Sequence, residues 1–280
     1  MSKKVVCFGE IMLRLAPPGY QRFEQAHSFD AVYGGGEANV ALSLANYGEQ
    51  GVFVTRVPEN PIGQAAINEM RRYGVDTTYM VRGGERLGIY YCEKGASQRP
   101  SKVVYDRKYA SISTATSADF DWERIFAGAS WYHFTGITPA LGDNVAAVVL
   151  DSLKAAKKAG VTVSCDLNFR KNLWTSEKAG QVMGELMHYV DVCIANEEDA
   201  EKVFGIKAEN TDIEGGKLSH DGYKDVAKKL KEKFGFQAVA ITLRGSISAS
   251  DNNWAAMLYK HDEFYFSRNY SIHIVVRVGG

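Results

Sequence analysis

Apolar residues run unbroken from Val5 to Phe8 and stop at Gly9-Glu10, which predicts a buried strand closed by a turn. Gly34-Gly35-Gly36 then leads into a segment where Ala38, Ala41, Leu42 and Ala45 recur at i, i+3, i+4 and i+7, predicting a helix that stops near Gly48. "GVFVTRV" predicts the next strand, and "PIGQAAINEMRRYG" a helix with Pro61 early and Gly74 at its end. Between 77 and 109 the texture changes. "TTYMV", "RLGIYYCEKG" and "SKVVYDRKYA" are short, β-branched and aromatic, broken by Gly, Pro and Ser, which predicts antiparallel strands. From Trp131 strand and helix alternate again: strands at "SWYHFTG", "VTVSCDLN", "VDVCIAN" and "AVAITL", helices at 143–159, 177–188, 197–204 and 221–234. Segment 207–222 reads as a loop, and the apolar run Ile272 to Val276 as a final strand. This alternation predicts an α/β fold with a mostly parallel sheet covered on both faces, and an antiparallel flap at one edge.

With 280 residues the chain can bury a large core, and one large domain is expected. The 33 basic residues balance the 33 acidic ones, so the basic surplus that nucleic-acid or membrane-surface binding needs is absent. Cys7, Cys92, Cys165 and Cys193 form no CxxC pair, and three of them sit in apolar runs. A reducing cytoplasm fits that usage. The start "MSKKVVCFGE" is too short in apolar residues for a signal peptide, and no run reaches the ~18 apolar residues of a membrane span.

Three clusters carry candidate chemistry. Glycines ahead of a helix let a ligand approach the backbone, and the helix N-terminus favours oxygen-rich groups. Asn39 in that first turn has no packing reason to be polar, although "GGGEAN" is neither GxGxxG nor a P-loop. In "YDRKY", Tyr105 and Arg107 fall on one side of a strand; Arg can hold a carboxylate with two parallel bonds and Tyr can bond a hydroxyl. Tyr90 joins them. "CDLNFR" and "CIANEEDAEKVFG" each end a buried parallel strand, where ligands of open α/β sheets bind, so Asn168, Arg170 and Asn196 are placed to meet one. Asn196 and Asp199, three apart, could organise a metal-bound water shell near phosphates, or simply cap a helix and its dipole. His133, inside an apolar strand, reads as a satisfied core residue.

Taken in order, "CFGEIMLRL", "GGGEANVALSLANYG", the flap, "DLNFR", "NEEDAEKVFG" and a last strand into "VGG" resemble the ribokinase-type (PfkB) carbohydrate kinases over essentially the whole chain. "RLGIYY", "YDRKYAS", "GITPAL" and "CDLNFRKNLW" are most similar to the 2-keto-3-deoxygluconate kinases of that family. The resemblance implies a ribokinase-like three-layer α/β sandwich, one kinase domain over 1–280, with a small β-sheet lid from segments near 10–16, 22–33 and 77–109. It implies ATP- and Mg2+-dependent phosphorylation of a sugar hydroxyl, here 2-keto-3-deoxygluconate to its 6-phosphate, in the cytoplasm. A fructokinase and a catalytically impaired sugar-binding relative are the alternatives. By motif, Gly34, Gly35 and Asn39 would bind the sugar from the core, Tyr90, Tyr105 and Arg107 from the lid side, with Arg170 between the acid end and the phosphates. Asn168, Asn196, Thr242, Arg244 and Gly245 would face the nucleotide, and Asp199 the metal through water, in a motif that usually carries Glu; Ser248 replaces a usual glycine. Exposed lid strands would pair between subunits of a homo-oligomer.

The resemblance also implies that Gly279-Gly280 begin an anion hole whose following Asp is the general base; the sequence stops before that Asp, and Val276 stands where the motif opens with Asp. The expectation is a chain truncated within this turn, a weak kinase as written because base and anion hole carry much of phosphoryl transfer.

Overall fold

The computed structural model describes residues 2–207 and 220–275. Along the chain run β1 (Lys4–Phe8), β2 (Met12–Ala16), β3 (Asp30–Gly34), α1 (Gly36–Asn46), β4 (Gln50–Val57), α2 (Pro61–Arg72), β5 (Met80–Arg82), β6 (Gly88–Glu93), β7 (Lys102–Asp106), α3 (Trp122–Phe126), β8 (Ala129–Thr135), α4 (Asp143–Lys158), β9 (Thr162–Asp166), α5 (Ser176–Leu186), β10 (Val192–Ala195), α6 (Glu197–Phe204), α7 (His220–Phe234), β11 (Ala238–Ser246), β12 (Asp251–Lys260), β13 (Glu263–Phe266) and β14 (Tyr270–His273).

The large sheet has the order β13-β12-β11-β10-β9-β8-β1-β4-β5, with β14 also on β12. It is parallel from β11 to β5 and antiparallel from β12 outward. Strand alternation divides the apolar residues of β1 between two cores. Val6 and Phe8 pack with Trp122, Val148, Met183 and Leu230 of the helices on one side. Val5 and Cys7 pack with Ala38, Ala41, Ile67 and Met70 of α1 and α2 on the other. This makes three layers, and it explains why the parallel strands read as continuous apolar runs. Asn60 caps α2 by accepting from Gly63 N at 3.0 Å, and Pro61 fills its first position. His133 is buried with Nδ1 2.9 Å from Ser164 Oγ, a satisfied core histidine.

The small sheet has the order β3-β2-β6-β7; only its β2–β6 pairing is parallel. Three expectations need correcting. "TTYMV" does not join the flap: β5 pairs in parallel with β4, and Met80 is buried against the α1–α2 core, which draws the segment to the edge of the large sheet. Segment 22–29 carries only a short 3-10 turn, Phe23–Gln25, so the flap's second strand is Asp30–Gly34. The last described strand is Tyr270–His273, which takes in only Ile272 and His273 of the expected run among the described residues and lies exposed and antiparallel on β12. The 208–219 part of the expected loop, and Val276, Gly279 and Gly280, lie outside the described residues.

Candidate functional site

The carboxyl ends of β1, β8 and β9 meet beneath the lid, at the point where the strand order turns from β8 to β1 and β4, the usual binding crevice of an open α/β sheet. There Gly35, Asn39, Tyr90, Tyr105, Arg107, Asn168 and Arg170 line one cavity of about 250 Å3, with Glu10, Gly36, Glu37 and Ile137. The core side is set by the α1 turn. A Cβ on Gly35 would stand 1.9 Å from the Glu10 carbonyl oxygen, so only glycine lets this turn pass the end of β1. The lid side is set by register. Tyr90 and Tyr105 are direct partners across β6 and β7, and their ring centroids are 5.9 Å apart. Arg107 follows β7 and places its guanidinium 5.3 Å from the Tyr105 ring centroid. It forms a buried ion pair with Glu10.

A larger cavity, about 1080 Å3, shares Tyr105, Arg107 and Arg170 and extends to Asn196, Asp199 and Trp174. The backbone around "DLNFR" is wound tightly here: Asn168 has φ +38°, an unusual value for a residue with a side chain. Its N–H donates to Asp166 Oδ1 at 3.0 Å, and Phe169 N donates to Asp199 Oδ1 at 3.1 Å. Asn196 caps α6, accepting from Asp199 N at 2.7 Å. Asn196 thus caps α6 and at the same time lines the larger cavity. Asp166 is pushed up to about 7, by burial first and then by the Asp199 charge. Asp199 is pushed up to about 6, chiefly by burial, against its bond from Phe169 and the Arg170 charge. Both carboxyls thus hold a proton more tightly than in an unfolded chain, where they titrate near 4. Their stabilising contribution is full below about pH 4 and is lost as pH rises through 6 to 7. His133, lowered to about 4 by burial, acts in the opposite sense. The clean observable is therefore a difference: Tm of Asp166→Asn minus Tm of the wild type is expected to grow as pH is raised from 5 to 8. A difference that stays constant across that range counts against the buried pair.

Glu10 and Glu37 line the smaller cavity, and Asp166 accepts from Asn168 N beside it; the sequence reading named none of these acids as a functional candidate. Glu37 looks like an ordinary first-turn acid, yet it is 1% exposed and its Oε1 accepts from Thr135 N, Thr135 Oγ1 and Thr138 Oγ1 at 3.0, 2.7 and 2.7 Å. It ties the α1 turn to the end of β8. The signal available for Glu10 and Asp166 was an acid at the carboxyl end of an apolar parallel strand. Other expected residues stand apart. Gly34 ends β3 and is buried, while Gly35 and Gly36 line the cavity. Thr242 follows Ile241, the partner of Ala195, so it shares the sheet end with Asn196. Arg244 is committed to Asn252 Oδ1 at 3.0 and 3.1 Å and stacks 5.4 Å from Trp254. Neither it nor Gly245 lines the two cavities.

Residues 2–250 match the pfkB family carbohydrate kinase. The chain is 53% identical to a 2-dehydro-3-deoxygluconokinase from Thermotoga maritima, with a TM-score of 0.95 over 100% of this chain and 83% of that one. It is 31% identical to a 2-dehydro-3-deoxygalactonokinase from Haloferax volcanii, over 86% of this chain and 72% of the relative. It is 29% identical to a 2-dehydro-3-deoxygluconokinase from Bacillus subtilis, over 63% of this chain; there it spans 55% of the relative's length. The three layers and the lid are the ribokinase-like fold, and a kinase of this fold takes a sugar and ATP as its small-molecule partners. On these grounds the chain belongs to the pfkB family of carbohydrate kinases.

Proposed function

We propose that this kinase transfers the γ-phosphoryl group of ATP to the 6-hydroxyl of 2-keto-3-deoxygluconate. The observation that carries the reading is one cavity under the lid lined by two guanidinium side chains, Arg107 and Arg170, beside two tyrosines and two asparagines. A neutral sugar needs no such cations; a keto-acid does, because its carboxylate leaves water only if it is met by charge-assisted hydrogen bonds. The names of the relatives point to the same substrate class. In this reading Gly35 and Asn39 meet the sugar from the core, with Gly34 shaping the turn, while Tyr90, Tyr105 and Arg107 meet it from the lid. Arg170 lies between the carboxylate and the transferring phosphate. In this reading Asn196 and Thr242 at the sheet end face the nucleotide, Asn168 reaches toward it from the sugar cavity, and Arg244 and Gly245 would take part from outside the two cavities.

Among the described residues no group of three or more His, Cys, Asp or Glu stands ready to hold a metal. Asp199, which lines the larger cavity with Asn196, nevertheless fits Mg2+, which keeps most of its waters and asks for one or two carboxylates beside phosphates. Burial chiefly raises the Asp166 and Asp199 carboxyls, with the Asp199 charge adding to the rise of Asp166, and a divalent cation nearby would favour their ionised forms. Bound there, Mg2+ would neutralise charge on the phosphates. Strand β7 is an edge of the lid and is exposed along Lys102–Asp106, which supports self-association through the lid. Four buried, free cysteines support a cytoplasmic setting. Among the described residues no helix is long and apolar enough to cross a membrane.

Titration calorimetry with 2-keto-3-deoxygluconate, its galacto epimer and fructose tests the assignment. The gluconate compound is expected to bind at least about tenfold tighter than fructose, as a charge-assisted contact dictates. Equal binding of fructose would replace the reading with a fructokinase, and tighter binding of the epimer would move the substrate to the galacto series.

A further inference from the structure

Arg107 reaches from the end of lid strand β7 to Glu10, which directly follows Gly9 at the carboxyl end of β1. The contact runs from Arg107 Nη2 to Glu10 Oε2, with the two side chains 10% and 3% exposed. It joins the lid to the end of the large sheet at the cavity itself. Gly88 makes room for it: a Cβ there would stand 2.8 Å from Glu10 Oε1 and 3.4 Å from the Arg107 Cβ. The pair is only half satisfied. Glu10 Oε1 and Arg107 Nε are buried and lack a hydrogen-bond partner. Buried charged groups ordinarily saturate their bonds, so an under-bonded pair lining a cavity calls for a reason.

We propose that Glu10 is a positioning residue for sugar-acid recognition: it holds Arg107 of the lid over the cavity, so that the guanidinium edge not used by Glu10 meets the substrate carboxylate. The inference rests on the assignment of Arg107 to that carboxylate. Two effects compete. The Glu10 charge repels a second carboxylate, but that charge is already paired with Arg107, which opposes the rise that burial imposes on the Glu10 carboxyl. Against this stands the fate of Arg107 alone. A guanidinium with one-tenth of its side chain exposed, sharing a cavity with Arg170, has no reason to stay without a counter-charge. It would swing into solvent, and each binding event would have to order it again. Loss of aim therefore outweighs relief of repulsion.

The test is a double-mutant cycle on the full protein, read as the calorimetric Kd for 2-keto-3-deoxygluconate and for ATP. Glu10→Gln is expected to weaken sugar-acid binding about tenfold, with ATP binding within about twofold as the sign of an intact fold. In the Arg107→Ala background the same change should add less than about twofold, because Glu10 acts through Arg107. Glu10→Asp, which keeps the charge, should recover part of the loss. Additive losses, or a Glu10→Gln Kd within twofold of wild type while Arg107→Ala is defective, would overturn the inference alone. An Arg107→Ala variant that binds the acid normally would overturn the carboxylate assignment beneath it.

Discussion

Arg107→Ala is expected to weaken 2-keto-3-deoxygluconate binding by about 100-fold, close to the ~3 kcal/mol typical of truncating one partner of a desolvated charge contact. Fructose binding should change much less, since a hydroxyl forgoes only a neutral bond. The variant carries a second, separable cost. It strands Glu10, whose side chain is 3% exposed, without its counter-charge. Breaking a buried pair from one side costs roughly 3–5 kcal/mol, partly escaped by protonating the survivor. Thermal denaturation should therefore show Tm lowered by several degrees at pH 8, and lowered less at pH 5. The sign follows from linkage: without Arg107 the Glu10 carboxyl rises further, so its contribution is present at low pH and lost as pH increases. Equal loss of acid and neutral sugar would mean that Arg107 shapes the lid without reading the carboxylate.

How far the sequence disclosed this site depends on what kind of signal each residue leaves. Asn39, Asn168 and Arg170 are polar residues just past apolar elements, a local contrast that survives in one dimension, and all three line the cavity. Tyr105 and Arg107 came from strand parity, and both face the same space. The burial of Glu10 and Glu37 is not disclosed by their neighbours in the sequence. One looks like the end of a strand and the other like a dipole partner in a first turn. Their burial depends on contacts 97 and 98 residues away, with Arg107 and Thr135. The misassigned β5 has the same cause. β-propensity marks a strand but not its sheet, and only the packing of Met80 against the α1–α2 core decides that. Arg244 is another case: an arginine on a nucleotide-side strand looks free until β12 brings Asn252 beside it.

Gly35→Ala should abolish measurable sugar binding and destabilise the fold, although alanine could adopt the backbone there without strain. Gly35 has φ −177° and ψ 159°, ordinary extended values. The obstacle is space. The added Cβ would lie 1.9 Å from the Glu10 carbonyl oxygen, 3.0 Å from its carbon and 3.4 Å from Ile11 Cα, all main-chain atoms that cannot rotate away. Overpacking of this kind costs about 1–3 kcal/mol, or more against backbone, and it is relieved only by moving the β1–β2 connection. That connection carries Glu10 and, through it, Arg107. A shift near 1 Å there would misplace Asn39 and the lid arginine together, and positioning errors of that size are costly in a preorganised site. Gly36→Ala supplies the contrast one residue on. Its Cβ would meet Thr135 Cγ2 at 3.6 Å and Asn168 Nδ2 at 3.9 Å, ordinary contacts. It should fold with nearly unchanged Tm and lose sugar affinity only to the extent that a methyl group narrows the cavity. Calorimetry and thermal denaturation on the two variants separate the cases. If Gly35→Ala keeps both its Tm and its sugar affinity, the close passage of the α1 turn over β1 does not hold this site together.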